Sequence, residues 1–377
     1  MAYAQIVGWG MHVPSRVVGN DTFVKMGLDT THDWIVSRTG IEERRIAGKD
    51  EATSDLAVRA ARRALNVAGA HASEIDLVIV ATCTPDHLMP ATASLVQNRI
   101  GATHAGAMDL NAACSGFVYA LAMGAGQIEA SRAKQVLVIG ADELSIYLDR
   151  RDRSTSVLFG DGAGAVVLRA APEPGVLYST MGSDGSGADL LIIPAGGSRI
   201  RNNGKSNGRG NGDRYLRMNG PQIFRSATQI MAQAAEKVIA NSGLKPDQVD
   251  LLIPHQANLR IIESTARRLG IPAQKVFSNV GQYGNTSAAS IPIALCEAIG
   301  TGRVKRGHNV VLTSFGAGLS WAALTLRWGV NVDAHVAPWT PIRQSVETQV
   351  AAMRSALRRQ GRRVGATISE RLHRDDS

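Results

Sequence analysis

The stretch Asp109-Leu110-Asn111-Ala112-Ala113-Cys114-Ser115-Gly116-Phe117 sets one cysteine between a short apolar run, Gly106 to Leu110, and a long helical pattern. Val118, Leu121, Ala122, Ala125 and Ile128 recur there at helix spacing. A thiol at a strand-to-helix junction feels the positive end of the helix dipole and nearby unpaired N–H groups. Such settings favour thiolate and lower a cysteine pKa from about 8.5 into the range of roughly 3.5–7.5. The chemistry this offers is that of a nucleophile. Taken alone, a small buried cysteine among alanines is the commoner reading. A second candidate is His255 in Pro254-His255-Gln256-Ala257-Asn258-Leu259-Arg260, which follows the strand pattern Asp250 to Ile253. Strand exits are where α/β folds carry their sites. By itself this histidine stands level with a satisfied core residue.

The elements that would position these residues show an internal repeat. Ser73-Glu74-Ile75-Asp76-Leu77-Val78-Ile79-Val80 resembles Asp247-Gln248-Val249-Asp250-Leu251-Leu252-Ile253-Pro254, an offset of 174 from Asp76 to Asp250. Val136 in Gln135 to Gly140 and Val310 in Asn309 to Ser314 are again 174 apart. The helical pattern from Ala60 to Gly69 matches Ala234 to Gly243 at the same offset. Three matches at one offset argue for a duplicated αβαβ unit. Strands rich in Val, Ile and Leu alternate with Ala-rich helices, so the fold class is α/β, with two largely buried sheets flanked by helices. Helices near 54–69, 91–100 and 115–131 have counterparts near 226–242, 258–269 and 287–300. Residues 1–172 form the first half, 173–328 the second, and 329–377 a basic extension.

The offset carries Asn111 onto Asn285 and Cys114 onto Ala288, so Gly284-Asn285-Thr286-Ser287-Ala288-Ala289-Ser290-Ile291-Pro292 is the partner of the cysteine turn. Both following helices are apolar nearly all round and should lie deep inside. Two helix N-termini related by a pseudo-twofold axis can face one another across one site. Cys114, His255 and Asn285 each sit at a strand exit of this duplicated unit.

Composition narrows the function classes. The 377 residues are 44% hydrophobic, enough for one large two-lobed core. Apolar runs reach only strand length, so no membrane span is expected, and Met1 to Gly8 reads as a first strand and not as a signal peptide. Three cysteines, Cys83, Cys114 and Cys296, do not make a disulfide framework, which favours a reducing cytoplasm. No cysteine pair and none of the nine histidines has metal-ligand spacing, so no metal is expected. The net charge of +9 points to acidic partners in general. Ala195 to Tyr215, with six glycines and five Lys or Arg residues, reads as a basic surface loop. Beyond residue 331, Val346, Val350, Met353 and Leu357 form an apolar stripe at helix spacing, read as a peripheral helix followed by a loose end. Gly160-Asp161-Gly162-Ala163-Gly164 precedes a strand, and its spacing is wrong for a dinucleotide fingerprint, so it reads as a structural turn in which Gly162 and Gly164 allow close backbone packing.

From about residue 3 to 328 the chain resembles the β-ketoacyl-acyl carrier protein synthase III family of the thiolase superfamily. The matching segments are Asp33 to Ile41, Ala112 to Phe117, Phe159 to Gly164, Pro254 to Arg260, Gly284 to Ser290 and Ser314 to Gly318. The resemblance implies the thiolase-like layered fold and a cytoplasmic homodimer. It implies no cofactor, with acyl-CoA and malonyl-acyl carrier protein as substrates. Cys114 would take the acyl group, with an oxyanion hole from the N–H groups of Cys114 and Ala317. His255 and Asn285 would donate to the enolate formed when malonyl thioester loses carbon dioxide, which is why an amide suffices at position 285. Trp34 and Arg153 match positions that sandwich adenine, and Arg38 one that meets CoA phosphate. Gly220, Phe224 and Asn258 would line the pantetheine tunnel. Arg225, Arg260, Arg267 and Arg268 match the patch that meets the acidic carrier. Met89, before Pro90, matches the position capping the acyl pocket across the dimer interface, where its flexibility would admit longer or branched primers.

Sister reactions fit less well. A biosynthetic thiolase needs a second cysteine in a motif that neither Cys83 nor Cys296 occupies, and a hydroxymethylglutaryl-CoA synthase needs a glutamate near Cys83. A secondary-metabolite homologue using the same acyl-cysteine chemistry on another acceptor stays open. A nucleic-acid-binding protein rests on net charge alone, without interleaved aromatics or a helix-turn-helix signature.

Overall fold

The computed structural model describes residues 2–199, 214–332 and Met353. The expectations for the basic loop beyond Arg199 and for Val346, Val350 and Leu357 lie outside them; Met353 is exposed.

Two sheets carry the chain. The first has the order Tyr3–His12, Asp161–Ala171, Gln135–Glu143, Leu77–Ala81, Gly106–Leu110. Its first two pairings are antiparallel and its last two parallel. The second runs Val176–Ser183, Ser320–Arg327, Asn309–Gly316, Leu251–Pro254, with two antiparallel pairings and then a parallel one. The pairing pattern therefore repeats strand by strand. Where the first sheet ends on a fifth strand, the second has one isolated bridge, Leu252 to Val276.

The buried runs alternate with period two, which tells the faces apart. Ile79, Val136 and Val138 point into a central core, together with Leu251, Ile253, Val310 and Leu312 from the other sheet. Val78, Val80, Leu137 and Ile139 point outward under the helix Thr53–Ala68, and Leu252 and Val311 under Gly220–Asn241. Between the sheets lie the cysteine helix, Gly116–Glu129, and the asparagine helix, Ser290–Gly300. Phe117, Leu121, Ile128, Leu295 and Ala298 are fully buried. Truncating such a leucine to alanine costs about 2–5 kcal/mol. The result is five layers, helix–sheet–helix–sheet–helix, and the reading of two all-apolar helices at the centre holds.

The covering helices end alike. Gly69 and Gly243, 174 residues apart, both take a left-handed conformation, with φ of 57° and 71°. Glycine bears no Cβ penalty there. The second covering helix starts earlier than its periodicity suggests, at Gly220, because Asn219 caps the Gln222 N–H at 3.3 Å and Pro221 occupies the first turn.

One reading is corrected. Gly162 and Gly164 form no turn: the strand Asp161–Ala171 begins before them. The asparagine helix lies so close over that strand that a Cβ on Gly164 would fall 2.6 Å from Pro292 Cβ. The close packing expected of these glycines is what the structure shows; only the turn is absent.

Candidate active site

Cys114 is the middle residue of a single 3-10 turn, Ala113–Ser115, leading into the cysteine helix. Ala113 adopts φ 46°, in the left-handed region that costs a residue with a Cβ roughly 1–2 kcal/mol. Asn111 offsets this locally, since its Oδ1 accepts the Ala113 N–H at 3.2 Å. The asparagine turn repeats the device. Ser287 has φ 52°, and Asn285 Oδ1 accepts the Ser287 N–H at 2.9 Å. Because that oxygen is engaged, Asn285 presents its NH2 group elsewhere. The Asn285 amide and the Ser287 hydroxyl both lie near the Cys114 sulfur, where they favour its charged form.

The protonation state departs from the sequence expectation. Burial pushes the Cys114 thiol up to about 12, and the Asp142 carboxylate adds to the rise. The Ser287 hydroxyl, the backbone N–H of Cys114 and the Asn285 amide pull it down, but less. Burial thus favours the thiol in the free protein, against the lowering expected of a helix N-terminus taken alone. The thiol is only 7% exposed, and burial disfavours the charged form more than the turn and its neighbours favour it.

His255 follows the strand Leu251–Pro254 and is buried; burial pushes its imidazole down to about 3. Its backbone N–H donates to the Thr313 carbonyl at 2.8 Å, and its Nδ1 lies 2.6 Å from the Ser290 hydroxyl. The Gln256 N–H donates to the same hydroxyl oxygen at 3.5 Å. A hydroxyl that accepts from Gln256 can donate to Nδ1, which puts the proton of the neutral ring on Nε2.

Two cavities meet at Cys114. The first, about 530 Å³, is lined by Cys114, His255 and Asn285, and runs past Gly220, Phe224 and Asn258 to Trp34 and Arg38. Arg225 and Arg260 line it too, and the Arg260 guanidinium sits 5.5 Å over the Phe224 ring. The Arg153 guanidinium lies 5.0 Å over the Trp34 ring and pairs with Asp29 at 3.0 Å. The Asn258 amide donates to the Arg38 carbonyl at 3.1 Å. The second cavity, about 750 Å³, opens on the other side of Cys114 among Cys83, Leu144, Tyr147, Ile193 and Leu216, with Ala317 at its wall.

Some expected residues stand apart. Arg267 and Arg268 are exposed at the end of the helix Leu259–Arg268 and line neither cavity. Met89 is 87% exposed and lines neither, while its neighbour Leu88 lines the second. Gly316 comes close to the Cys114 amide: a Cβ there would lie 2.8 Å from the Cys114 nitrogen. Sequence reasoning missed Ser287, Ser290 and Asp142. The 174-residue offset pointed to the first two, and Asp142 is a fully buried carboxylate, next to Glu143, at the end of a strand that is apolar from Val136 to Ala141. Cys83 Sγ lies 3.8 Å from Ser287 Oγ, and burial raises its thiol well above the ordinary value. Among the described residues no cluster of three His, Cys, Asp or Glu side chains could hold a metal, and no helix is long and apolar enough to cross a membrane.

Two family models match the chain: 3-oxoacyl-[acyl-carrier-protein] synthase III over residues 108–185, and the C-terminal part of the same synthase over 239–328. A β-ketoacyl-[acyl-carrier-protein] synthase III from Roseiflexus sp. (strain RS-1) is 48% identical over 327 residues, covering 86% of this chain and 98% of the relative. The crystal structure of 3-oxoacyl-[acyl-carrier-protein] synthase III from Aquifex aeolicus VF5 superposes with a TM-score of 0.79 at 45% identity, over 86% of this chain and 100% of that one. The priming β-ketosynthase of the R1128 polyketide biosynthetic pathway superposes with a TM-score of 0.82 at 36% identity, over 87% and 97%.

Proposed function

The chain belongs to the 3-oxoacyl-[acyl-carrier-protein] synthase III family of acyl-transferring condensing enzymes, and on that footing we propose how its two cavities perform the initiating condensation of fatty acid synthesis. Acyl-CoA enters by the first cavity, its adenine end near Trp34 and Arg153, its phosphates near Arg38, and its pantetheine along Gly220, Phe224 and Asn258. Indole and guanidinium suit stacking, and the cationic rim suits phosphate. Cys114 Sγ attacks the thioester carbon, the C–S bond to CoA breaks, and the thiol proton leaves on the CoA sulfur. The carbonyl oxygen passes through an oxyanion that the N–H groups of Cys114 and Ala317 stabilise. The acyl chain then lies in the second cavity.

Malonyl-carrier protein follows by the same entrance, guided by Arg225 and Arg260, with Arg267 and Arg268 farther out on the helix that carries Arg260. Loss of carbon dioxide leaves an enolate whose oxygen takes hydrogen bonds from His255 Nε2 and the Asn285 NH2. Its carbon attacks the acyl-cysteine, forming the new C–C bond and releasing Cys114 sulfur, which regains a proton from solvent. The observation that carries this reading is that Asn285 Oδ1 is taken up by Ser287, leaving only a donor to offer. A neutral His255 acts in the same sense, as a donor and not as a base. The alternative, the same acyl-cysteine acting on a secondary-metabolite acceptor, is the weaker reading, because the 48% identical relative is named a β-ketoacyl-[acyl-carrier-protein] synthase III.

The active form we propose is a cytoplasmic homodimer without cofactor. Among the described residues Gly106–Leu110 is an edge strand carrying exposed Met108, and its Asp109 accepts the N–H groups of Thr92 and Ala93 just after the segment that holds Leu88 and Met89. Those two side chains are each 87% exposed. A second copy would cover them, placing Met89 over its partner's acyl cavity, where its flexibility admits longer or branched primers besides acetyl.

The test is acylation and condensation measured separately with radiolabelled acetyl-CoA and malonyl-carrier protein. Cys114→Ala abolishes the acyl-enzyme, whereas Asn285→Ala still acylates and fails to condense. Condensation surviving in Cys114→Ala rules the mechanism out.

A further inference from the structure

The two turns are not filled alike, and the difference singles out Asp142. This residue lies in the strand Gln135–Glu143 with 0% exposure. Its Oδ1 accepts from the Thr82 hydroxyl at 3.0 Å, the Cys83 N–H at 2.8 Å and the Thr84 hydroxyl at 3.1 Å. Its Oδ2 accepts the Ala288 N–H at 3.0 Å. A fully buried carboxylate is costly unless hydrogen bonds satisfy it, and here four donors converge without an ion pair to it among the described residues.

The position of Ala288 explains the cost. It is the 174-residue counterpart of Cys114, so its N–H corresponds to the amide that serves the oxyanion. The counterpart of Asp142, at the same offset, is Gly316. There the side chain is missing where a Cβ would sit 2.8 Å from the Cys114 nitrogen and 3.1 Å from the Ser115 nitrogen. One amide pocket is thus closed by a carboxylate and the other is kept open by a glycine.

We infer that Asp142 is a positioning residue for condensation: by holding the Ala288 N–H it fixes the turn that presents Asn285 and Ser287 to Cys114, while Gly316 leaves the Cys114 N–H to the substrate. The inference rests on the two-step reading of the site given above. Asp142 touches no substrate. It acts through the turn and through its charge on the buried groups around it, which are Cys83 after the strand Leu77–Ala81, Cys114, and Asp161 at the head of the neighbouring strand Asp161–Ala171. His255, across the site, is neutral.

The experiment compares Asp142→Ala, Asp142→Asn and Gly316→Ala with the wild type, reading three quantities. The first is acyl-enzyme formation from acetyl-CoA by intact mass. The second is single-turnover condensation of pre-acylated enzyme with malonyl-carrier protein. The third is the iodoacetamide alkylation rate at Cys114 by peptide mass. Asp142→Ala acylates within about threefold of wild type but condenses ~10²-fold slower, the loss expected of a displaced partner group. Asp142→Asn, isosteric and able to accept from Ala288, restores condensation to within about tenfold of wild type. With its charge gone, Cys114 alkylation at about pH 8 rises about tenfold. Gly316→Ala shows the opposite split, losing acylation by ~10²–10³ with its donor blocked. Equal loss of both half-reactions in Asp142→Ala, or an unchanged alkylation rate in Asp142→Asn, overturns the inference. If Asp142→Ala does not fold, the Asp142→Asn alkylation rate decides. Wild-type protein that neither acylates nor condenses overturns the functional reading instead, and the alkylation comparison still judges Asp142.

Discussion

The cysteine turn and the asparagine turn have one backbone and two chemistries. Each opens with an asparagine whose Oδ1 accepts the N–H two residues on, and each bends through a left-handed residue, Ala113 or Ser287. Each then feeds a buried helix between the same two sheets. The differences lie in side chains alone. Cys114 corresponds to Ala288, Gly316 to Asp142, and Gly116 stands where Ser290 holds the His255 ring. Duplication supplied a symmetric frame with two amide pockets, and in the mechanism proposed above substitution makes one the acylation site and the other an anchor for the condensation donors. Backbone geometry is kept where a turn must close; side chains diverge where a proton, a charge or a donor must be placed.

Exchanging carboxylate for amide at the two asparagines gives the sharpest contrast. In Asn285→Asp the Oδ1 bond to Ser287 survives, so the turn stays closed, but a donor becomes an anion beside the enolate. We expect normal folding and a loss of condensation of about 10²–10³, seen in single-turnover assays, with the acyl-enzyme still formed. Removing Ser290 acts more gently. Ser290→Ala leaves His255 Nδ1 without its partner and the tautomer unfixed, and condensation should drop about tenfold while KM for acyl-CoA stays put. Asn111→Asp is the control on the other turn. Position 111 needs only an acceptor, so both half-reactions should remain within about threefold; a large condensation defect there would break the division of labour between the turns.

The smallest effect expected is of pH. Burial holds His255 at about 3, below the ordinary 6.5, so the folded protein keeps the ring neutral where an exposed histidine would charge. Condensation by pre-acylated enzyme should therefore be level between about pH 5.5 and 8. An acid limb with a midpoint of about 6.5 that disappears in Ser290→Ala would show that His255 does titrate and would assign it a proton-transfer role.

Much of this was legible before any coordinates. The short unbroken apolar run Leu77 to Ala81 and the period of 3.6 after Cys114 are local, and they set buried strand and helix. The 174-residue offset is a property of the string, and it paired Asn111 with Asn285 without any knowledge of the backbone bend the two asparagines share. The resemblance to the synthase III family pointed to Cys114, His255 and Asn285, and all three line one cavity. Trp34, Arg38, Gly220, Phe224 and Asn258 join them there.

What stayed hidden depends on neighbours far apart in sequence. Close packing is legible at Gly162 and Gly164, but the segment reads as a turn because the partner of Gly164, Pro292, is brought down only by packing of the asparagine helix. Asp142 stands in the sequence beside Glu143 at the end of an apolar run, with nothing local to tell the two acids apart; its meaning comes from Thr82, Cys83, Thr84 and Ala288 meeting around it. For Cys114 the sequence leaves thiolate and buried thiol both open, because it shows the helix that follows but not how far burial outweighs it. Periodicity, order and repeat are carried by the chain itself, so the sequence alone determined them for this protein. Protonation and the occupancy of an amide pocket were decided only by the tertiary structure, because desolvation and hydrogen-bond partners exist only once the two halves close on each other.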